Sequence, residues 1–403
     1  MDRIKIVLVG IGGYGNHYVE QLLRNKKERD DYVIVGAVDP YPEQAPSFIR
    51  LNSLNIPIYH SLEEFYLHQR ADLAIISSPI HFHCQQTCLA LANGSHVLCE
   101  KPVSAVIQEG LKMNAAQNKA DKLVGIGYQW SFSEAITALK QDINAGKLGH
   151  PKLLKTLVLW PRNRTYFRRS WAGKQKDRDG NWILDSVANN AAAHYLHNMF
   201  FILGEEINRS TSIRQVEAEL YRANNIENFD TSIIWAVNDR GVEIKFYASH
   251  AVHNTVGPIF EYQFSDAVVR YDESQLNREI TAIFNDGTVK SYGDPQRDSE
   301  RKLWTMLDAV KSGDVLPCGI EAALTQTMCI NGAQESMPAI SSFPKSMVKI
   351  DADLDVVYVE GLEDVLKQLY LREKMPSSEN VPWAKPGKCL DLTNYNYFPS
   401  FTR

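Results

Sequence analysis

The 403-residue chain has no apolar run that approaches membrane-spanning length, so no bilayer helix is expected. Its six cysteines are scattered. Cys84 and Cys88 stand one helical turn apart and Cys99 falls at the end of an apolar run. That is no disulfide framework, and it points to a reducing, cytoplasmic setting. The net charge of −5 is spread without long runs, which removes the electrostatic case for nucleic acid or an anionic membrane as partner. After Met1-Asp2-Arg3 there is neither a long apolar h-region nor a small-residue cleavage site, so no signal peptide is expected. Repeats and low-complexity segments are also lacking. At 44% hydrophobic and 23% charged residues the composition is that of an ordinary globular protein, and the length suggests two domains.

What is present begins with Val97-Leu98-Cys99-Glu100-Lys101-Pro102-Val103. An apolar run ends in Glu-Lys-Pro, which puts an amine where a strand stops. Ligands of open parallel sheets sit outside the carboxyl ends of the strands. Proline restricts the residue before it, so Lys101 is aimed rather than loose.

Upstream, the β-branched run Ile4 to Val9 is a buried strand. It leads into Gly10-Ile11-Gly12-Gly13-Tyr14-Gly15, a G-x-G-x-x-G stretch that opens a helix over Asn16 to Asn25. Glycines there allow a tight turn, and the helix N-terminus offers free N–H groups to a pyrophosphate. Asp39 ends the next strand, Tyr32 to Val38. Its carboxylate suits a ribose 2′-hydroxyl, and Pro40-Tyr41 brings no cation to receive a 2′-phosphate, so the cofactor expected is NAD. The βα alternation continues. Ser61-Leu62-Glu63-Glu64 is a capping box, Asp72 to Ser77 is a strand, and Ile80 to Asn93 is a helix stopped by Gly94. His96 to Cys99 is a strand, Ser104 caps a helix to about Ala120, and Leu123 to Ile126 is a further strand. This pattern implies a doubly wound parallel sheet over residues 1–126.

The glycine loop, Ser77-Ser78-Pro79-Ile80-His81-Phe82-His83 and Cys99-Glu100-Lys101-Pro102 follow one another at a spacing that resembles the Gfo/Idh/MocA oxidoreductases. The resemblance spans roughly residues 4 to 337. It implies that Lys101 is catalytic with a cis bond to proline, and that Ser78, Pro79, His83 and Glu100 join Gly10–Gly15 and Asp39 around NAD. It also implies a sugar or cyclitol as substrate and a homo-oligomer, dimer or tetramer. His81 and His83 could pair with Cys84 on a metal, but no further ligand cluster follows, so no metal is expected.

Residues 127–337 form a second unit. Gly127-Tyr128-Gln129-Trp130 stands where the family's first substrate loop lies. Ser133 to Ala145 is a helix and Leu153 to Trp160 a strand. Trp160 to Gly173 then crowds four aromatics and four arginines into a stretch without period, including Arg168 and Trp171. Rings and guanidinium forks suit a sugar bearing hydroxyls or a carboxylate; nucleic-acid stacking and plain interface packing are the competing explanations. Asp185 to Asn190 lead into Ala191 to Gly204, which is expected as a helix with an Asn N-cap and a glycine stop, Asn190 and His194 sharing a face. His194 matches the family's catalytic histidine, whereas Asn190 stands where an aspartate is usual. His194 then lacks an anionic partner unless Asp185 supplies it. The substrate set expected is Lys101, Tyr128, Arg168, Trp171, Asp185, Asn190 and His194.

Six strands follow between Gln215 and Phe284, with hairpin turns at Asp239-Arg240-Gly241 and Asp286-Gly287. They make a C-terminal α+β domain with a large, mostly antiparallel sheet, one face under the His194 helix and the other open to an oligomer partner. Arg301 to Val310 and Glu321 to Glu335 are closing helices. Residues 338–403 are an extension with a helix over Glu360 to Glu373, wrapping either its own chain or a neighbour. His250 and His253 are expected to be structural. The activity expected is hydride transfer at a secondary alcohol of a sugar, sugar acid or cyclitol. The alternatives are glycosidic cleavage through transient oxidation, or a sensor that binds NAD or sugar without catalysis.

Overall fold

The computed structural model describes residues 3–400; Met1-Asp2 and 401–403, the outer ends of the expected 1–126 and 338–403 units, lie outside the described residues. The first strands and helices follow in order as β1 (Ile4–Val9), α1 (Gly15–Arg24), β2 (Tyr32–Val38), α2 (Phe48–Ser53), β3 (Ile58–Tyr59), α3 (Leu62–His68), β4 (Leu73–Ile76), α4 (His83–Ala92), β5 (His96–Cys99), α5 (Ile107–Ala120) and β6 (Val124–Ile126). The strands pair in parallel in the order β3-β2-β1-β4-β5-β6. Helices cover both faces, which is why β4 is buried along its whole length. Strand order reverses between β1 and β4, and there the carboxyl ends open a crevice.

Ser61 caps α3 as its residue type dictates: Glu64 N donates to Ser61 Oγ at 3.1 Å, and the Glu64 carboxylate accepts from His60 N at 2.9 Å, one residue ahead of the cap. Ser104 does not cap α5. Its hydroxyl donates to Val106 O at 2.9 Å, and the helix starts at Ile107, whose N–H is taken by the Asn331 side chain at 2.8 Å. The cap comes from a residue 224 positions away, which no local pattern can announce.

The second half carries α6 (Glu134–Asn144), β7 (Pro151–Leu159), α7 (Ala193–Ile202), β8 (Ile213–Arg222), β9 (Thr231–Asn238), β10 (Glu243–Ser249), β11 (Val256–Phe264), β12 (Ala267–Asp272), β13 (Ile280–Phe284), β14 (Val289–Gly293), α8 (Arg301–Ser312), α9 (Ile320–Ser336), β15 (Ser341–Ser342), β16 (Val348–Asp351), β17 (Val356–Val359), α10 (Leu362–Arg372) and β18 (Leu390–Asp391). Ten strands form one sheet, β14-β13-β12-β11-β7-β10-β9-β8-β15, with β18 beside β8. Pairing is antiparallel except for β7 with β10 and β8 with β15. Helices α7 and α9 pack on one face, and α9 also packs on α5 of the first sheet. A backbone bond adds to the tie between the two halves: Ile126 N, at the end of β6, donates to Cys318 O, just ahead of α9, at 2.9 Å.

The opposite face of the large sheet is not left open for a partner across β7 to β8. The chain's own extension covers it. Lys155 Nζ of β7 meets the Glu373 carboxylate at 3.0 Å, Lys245 Nζ of β10 donates to Glu373 O at 2.8 Å, and Tyr247 OH donates to Lys374 O at 3.1 Å. Further along, Trp383 stands edge-on to Tyr221 of β8 at 4.9 Å. Val242, Ile244 and Phe246 alternate with Glu243, Lys245 and Tyr247, the pattern of a sheet buried on one side; Tyr247 is nevertheless fully buried because residues 370–374 close over it. The end of the extension reaches the other sheet. Phe398 is buried with Trp182, Leu184, Ile80 and Val106, and Gln108 holds both its N–H, at 3.0 Å, and its carbonyl, at 2.8 Å.

All six cysteines are free thiols. No helix among the described residues is long and apolar enough to cross a membrane.

Candidate active site

The glycine loop joins β1 to α1 at the switch point. A Cβ on Gly15 would lie 1.7 Å from Gly10 O, so this position must be bare for the helix to start against the strand. A Cβ on Gly12 would meet nothing within 4 Å; it would project into open space over the loop. Asp39, at the end of β2, accepts from Ile11 N at 3.1 Å and Tyr41 N at 2.9 Å, which brings its carboxylate to the loop's edge. A bare glycine face, an open helix N-terminus and a carboxylate beside them fit a dinucleotide. Gly10, Ile11, Gly12, Gly13, Tyr14, Gly15 and Asp39 would hold it, with Ser78 and Pro79 on the neighbouring strand end.

Two expected cofactor contacts are turned elsewhere. His83 is buried, its ring nitrogens 2.8 Å from Pro102 O and 3.0 Å from Ser78 O. It stitches the Ser-Pro loop to the Lys-Pro peptide, which is cis. Glu100 also points inward. Its carboxylate accepts from Tyr18 OH at 2.7 Å and is paired with Lys302 Nζ of α8. Burial works against its ionisation, but Lys302 and the Tyr18 hydroxyl hold it below the usual carboxylate range. Lys302 also lies under the Tyr14 ring, 4.6 Å from its centroid. Gly127 must be bare for this: a Cβ there would lie 2.7 Å from Glu100 Oε1. One buried ion pair thus joins the glycine loop, α1, the end of β5 and α8.

Lys101 follows directly. Its Nζ donates to Asn190 O at 2.7 Å and to Asn190 Oδ1 at 3.0 Å. The Asn190 amide in turn donates to Asp185 Oδ1 at 2.8 Å and lies 3.4 Å from Tyr166 OH. Asp185 Oδ2 accepts from Gly173 N at 2.6 Å. Asp185 therefore serves Lys101, through the Asn190 side chain, and does not supply the anion that His194 lacks. This use of Asn190 also explains why it is no N-cap. Residues 187–192 are turns, and α7 begins only at Ala193 with Ala192 before it.

Burial pulls Lys101 down to about 8 and pushes Asp185 up to about 6. His194, at the start of α7, is held well below its ordinary value by burial, then by the like charges of Lys101 and Lys302. It is a neutral imidazole whose buried Nδ1 has no hydrogen-bond partner. His197, one turn on, is pulled down to about 3 by burial, and its Nε2 meets Ser131 Oγ at 2.9 Å.

Tyr128, expected against substrate, is fully buried. Its ring stacks on His197 at 3.8 Å and stands edge-on to His194 at 5.8 Å, while its hydroxyl donates to Gln326 at 2.9 Å. It backs the histidine rather than facing a ligand. Arg168 is exposed. The guanidiniums brought to the site are Arg162 and Arg169, 5.4 and 5.0 Å from the Tyr166 ring centroid, with Trp171 6.3 Å from the same ring. Composition flagged this stretch, but without a period to guide it the sequence reading chose Arg168, whereas the rings gather Arg162 and Arg169. Lys302 and Tyr18 had no sequence signal at all. His250 packs its Nδ1 on Trp160 O at 2.7 Å and His253 pairs with Asp351 at 2.8 Å. No group of three potential metal ligands gathers among the described residues.

Two outcomes follow from these contacts. Gly12→Ala should fold normally yet weaken NADH binding about ten-fold or more (~1.4 kcal/mol), whereas Gly15→Ala should also cost about 1–3 kcal/mol of stability through overpacking; fluorescence titration and chemical denaturation separate the two. Lys302→Met should destabilise the protein by about 3–5 kcal/mol by stranding a buried carboxylate, and adding Glu100→Gln should recover much of the loss. A double variant no more stable than the single would show that the pair is not what Lys302 provides.

Comparison with known proteins agrees with this architecture. Residues 4–128 match the profile of the Gfo/Idh/MocA group, described as an oxidoreductase family with an NAD-binding Rossmann fold. A 1-carboxy-3-chloro-3,4-dihydroxycyclo hexa-1,5-diene dehydrogenase from Comamonas testosteroni is 25% identical over 37% of this chain and 37% of its own length. An inositol 2-dehydrogenase from Ralstonia nicotianae is 26% identical over 38% of this chain and 44% of its own. The chain thus spans less than half the length of these curated relatives in the matched region. The WlbA dehydrogenase from Bordetella pertussis, solved with NADH and UDP-GlcNAcA, superposes with a TM-score of 0.69 at 19% identity, covering 84% of this chain and 97% of that one; at that identity the likeness is one of fold. Residues 4–128, with their glycine loop and Glu-Lys-Pro strand end, thus match the NAD-binding Rossmann fold of the Gfo/Idh/MocA oxidoreductase family.

Proposed function

We propose that this protein is an NAD(H)-dependent oxidoreductase acting on a secondary alcohol of a sugar, sugar acid or cyclitol. The observation that carries the proposal is the grip of Asn190, from the other lobe, on Lys101 at the end of β5, with the Lys101 charge acting on the buried His194 one turn further on. The chemistry a bound nicotinamide supplies there is the acceptance or donation of hydride. His194, uncharged, takes the hydroxyl proton at a ring nitrogen. Lys101, charged, hydrogen-bonds the same oxygen and stabilises the negative charge that develops on it. Asn190 fixes the ammonium with two acceptors, and Asp185 fixes the Asn190 amide by taking its N–H. The names of the relatives fit the substrate class: one is an inositol dehydrogenase, and the WlbA enzyme was solved with a nucleotide-linked sugar acid.

Lys101→Ala should lower kcat by a factor of about 100 or more, read as NADH absorbance across a panel of polyols and sugar acids; full activity in that variant would remove Lys101 from the chemistry. The pH profile has a defined shape. Asp185 must be ionised to accept from both Gly173 N and Asn190, so kcat/KM should rise as pH passes about 6. Lys101 must keep its proton to donate, so kcat/KM should fall as pH passes about 8. Asp185→Asn should abolish the acid limb and leave the alkaline one. NADH that accumulates with turnover distinguishes net oxidation from a cycle that re-reduces its product.

A further inference from the structure

The guanidiniums of Arg162 and Arg169 join Lys101 to gather three cations here, and little offsets them. Arg162 and Arg169 flank the Tyr166 ring, whose hydroxyl reaches the same Asn190 amide group that holds Lys101. Arg162 also lies 5.8 Å from the Trp160 ring, and Arg169 5.7 Å from that of Trp171. Other cations of the segment are already paired: Arg164 with Asp355, and Lys174 with Glu227. Among the described residues no carboxylate stands within ion-pair distance of Arg162 or Arg169. The nearest anion of the cluster, Asp185, spends its two oxygens on Gly173 N and the Asn190 amide. Arg162 Nε is buried without a hydrogen-bond partner, and a buried donor left unmade costs free energy. Arg162 also hydrogen-bonds the Tyr166 side chain, but its Nε and the Arg169 fork remain for a ligand beside the rings.

We infer that Arg162 and Arg169 form an oxyanion subsite, so that the substrate is a polyol or sugar ring carrying a carboxylate or phosphate rather than a neutral one. The inference rests on the hydride-transfer function proposed above and narrows it. Planar forks pair with such groups through two parallel hydrogen bonds. An anion there also offsets the charge of Lys101 and the two arginines, and it orients the ring against Tyr166 and Trp171 with one hydroxyl toward Lys101.

The test is calorimetric titration of the NADH-loaded full chain with D-glucuronate, D-gluconate, D-glucose 6-phosphate and myo-inositol 1-phosphate, against D-glucose and myo-inositol. At least one anion should bind ten-fold or more tightly than its neutral counterpart, and the preference should shrink in about 0.5 M NaCl. Whether the carboxylates or the phosphates win identifies the group. Arg162→Met and Arg169→Met should each cut the anion-over-neutral ratio ten-fold or more, with NADH affinity as the folding control, and Arg162→Lys should restore part of it. Equal binding of anionic and neutral probes, or a preference that survives both methionine variants, overturns the subsite. The two proposals fail separately. Neutral polyols that reduce NAD while no anion binds better leave hydride transfer standing and sink the subsite. Anions that bind through the arginines with no NAD reduced by any probe leave the subsite standing and sink hydride transfer.

Discussion

One ammonium group joins the two halves of this molecule at the site. Lys101 leaves the carboxyl end of β5 in the first sheet and is gripped by two oxygens of Asn190, which belongs to the second unit. A lysine held by neutral oxygens keeps all of its charge for a reacting oxygen, whereas a salt-bridged lysine shares it. The orientation of the grip depends on an amide that could otherwise flip. Asp185 prevents the flip by accepting from Asn190 Nδ2, since a carboxylate can accept an N–H and cannot donate to a carbonyl.

The electrostatics behind that lysine run in the same direction. Lys302 is buried one shell deeper and paired with Glu100. A buried pair contributes little net stability, because desolvation of both ions offsets most of their attraction, yet removing one member leaves the other stranded. What the pair contributes is position. Glu100 is the residue before Lys101, so fixing its carboxylate between Tyr18 and Lys302 fixes the start of the lysine side chain. The positive charges of Lys101 and Lys302, after burial, keep His194 neutral and therefore able to accept a proton. The same clamp touches Tyr14 in the glycine loop, so the glycine loop and the Lys101 end of β5 share one set of contacts.

The extension changes how the second sheet is used. A half-polar strand such as β10 suggests an exposed face, but residues 370–374 and Trp383 cover that face within the same chain. Its last described residues reach Ile80 and Leu184, next to the Ser-Pro loop and to Asp185. A segment that looked like an appendage is part of the wall around the site.

The sequence by itself determined the local features. These are the β-branched strands, the glycine loop with Gly15 against Gly10, the carboxylate at the end of β2 and the lysine at the end of β5. Each depends on neighbours within a few residues, where backbone sterics and hydrogen-bond periodicity act. Tertiary structure alone decided what depends on distant groups. It capped α5 with Asn331 rather than Ser104, delayed α7 to Ala193 so that Asn190 could serve Lys101, turned Tyr128 toward Gln326, and brought Arg162 and Arg169 rather than Arg168 to the Tyr166 ring. Those choices follow from which side chains packing brings within hydrogen-bond or ring-stacking reach, a distance that spacing along the chain does not encode.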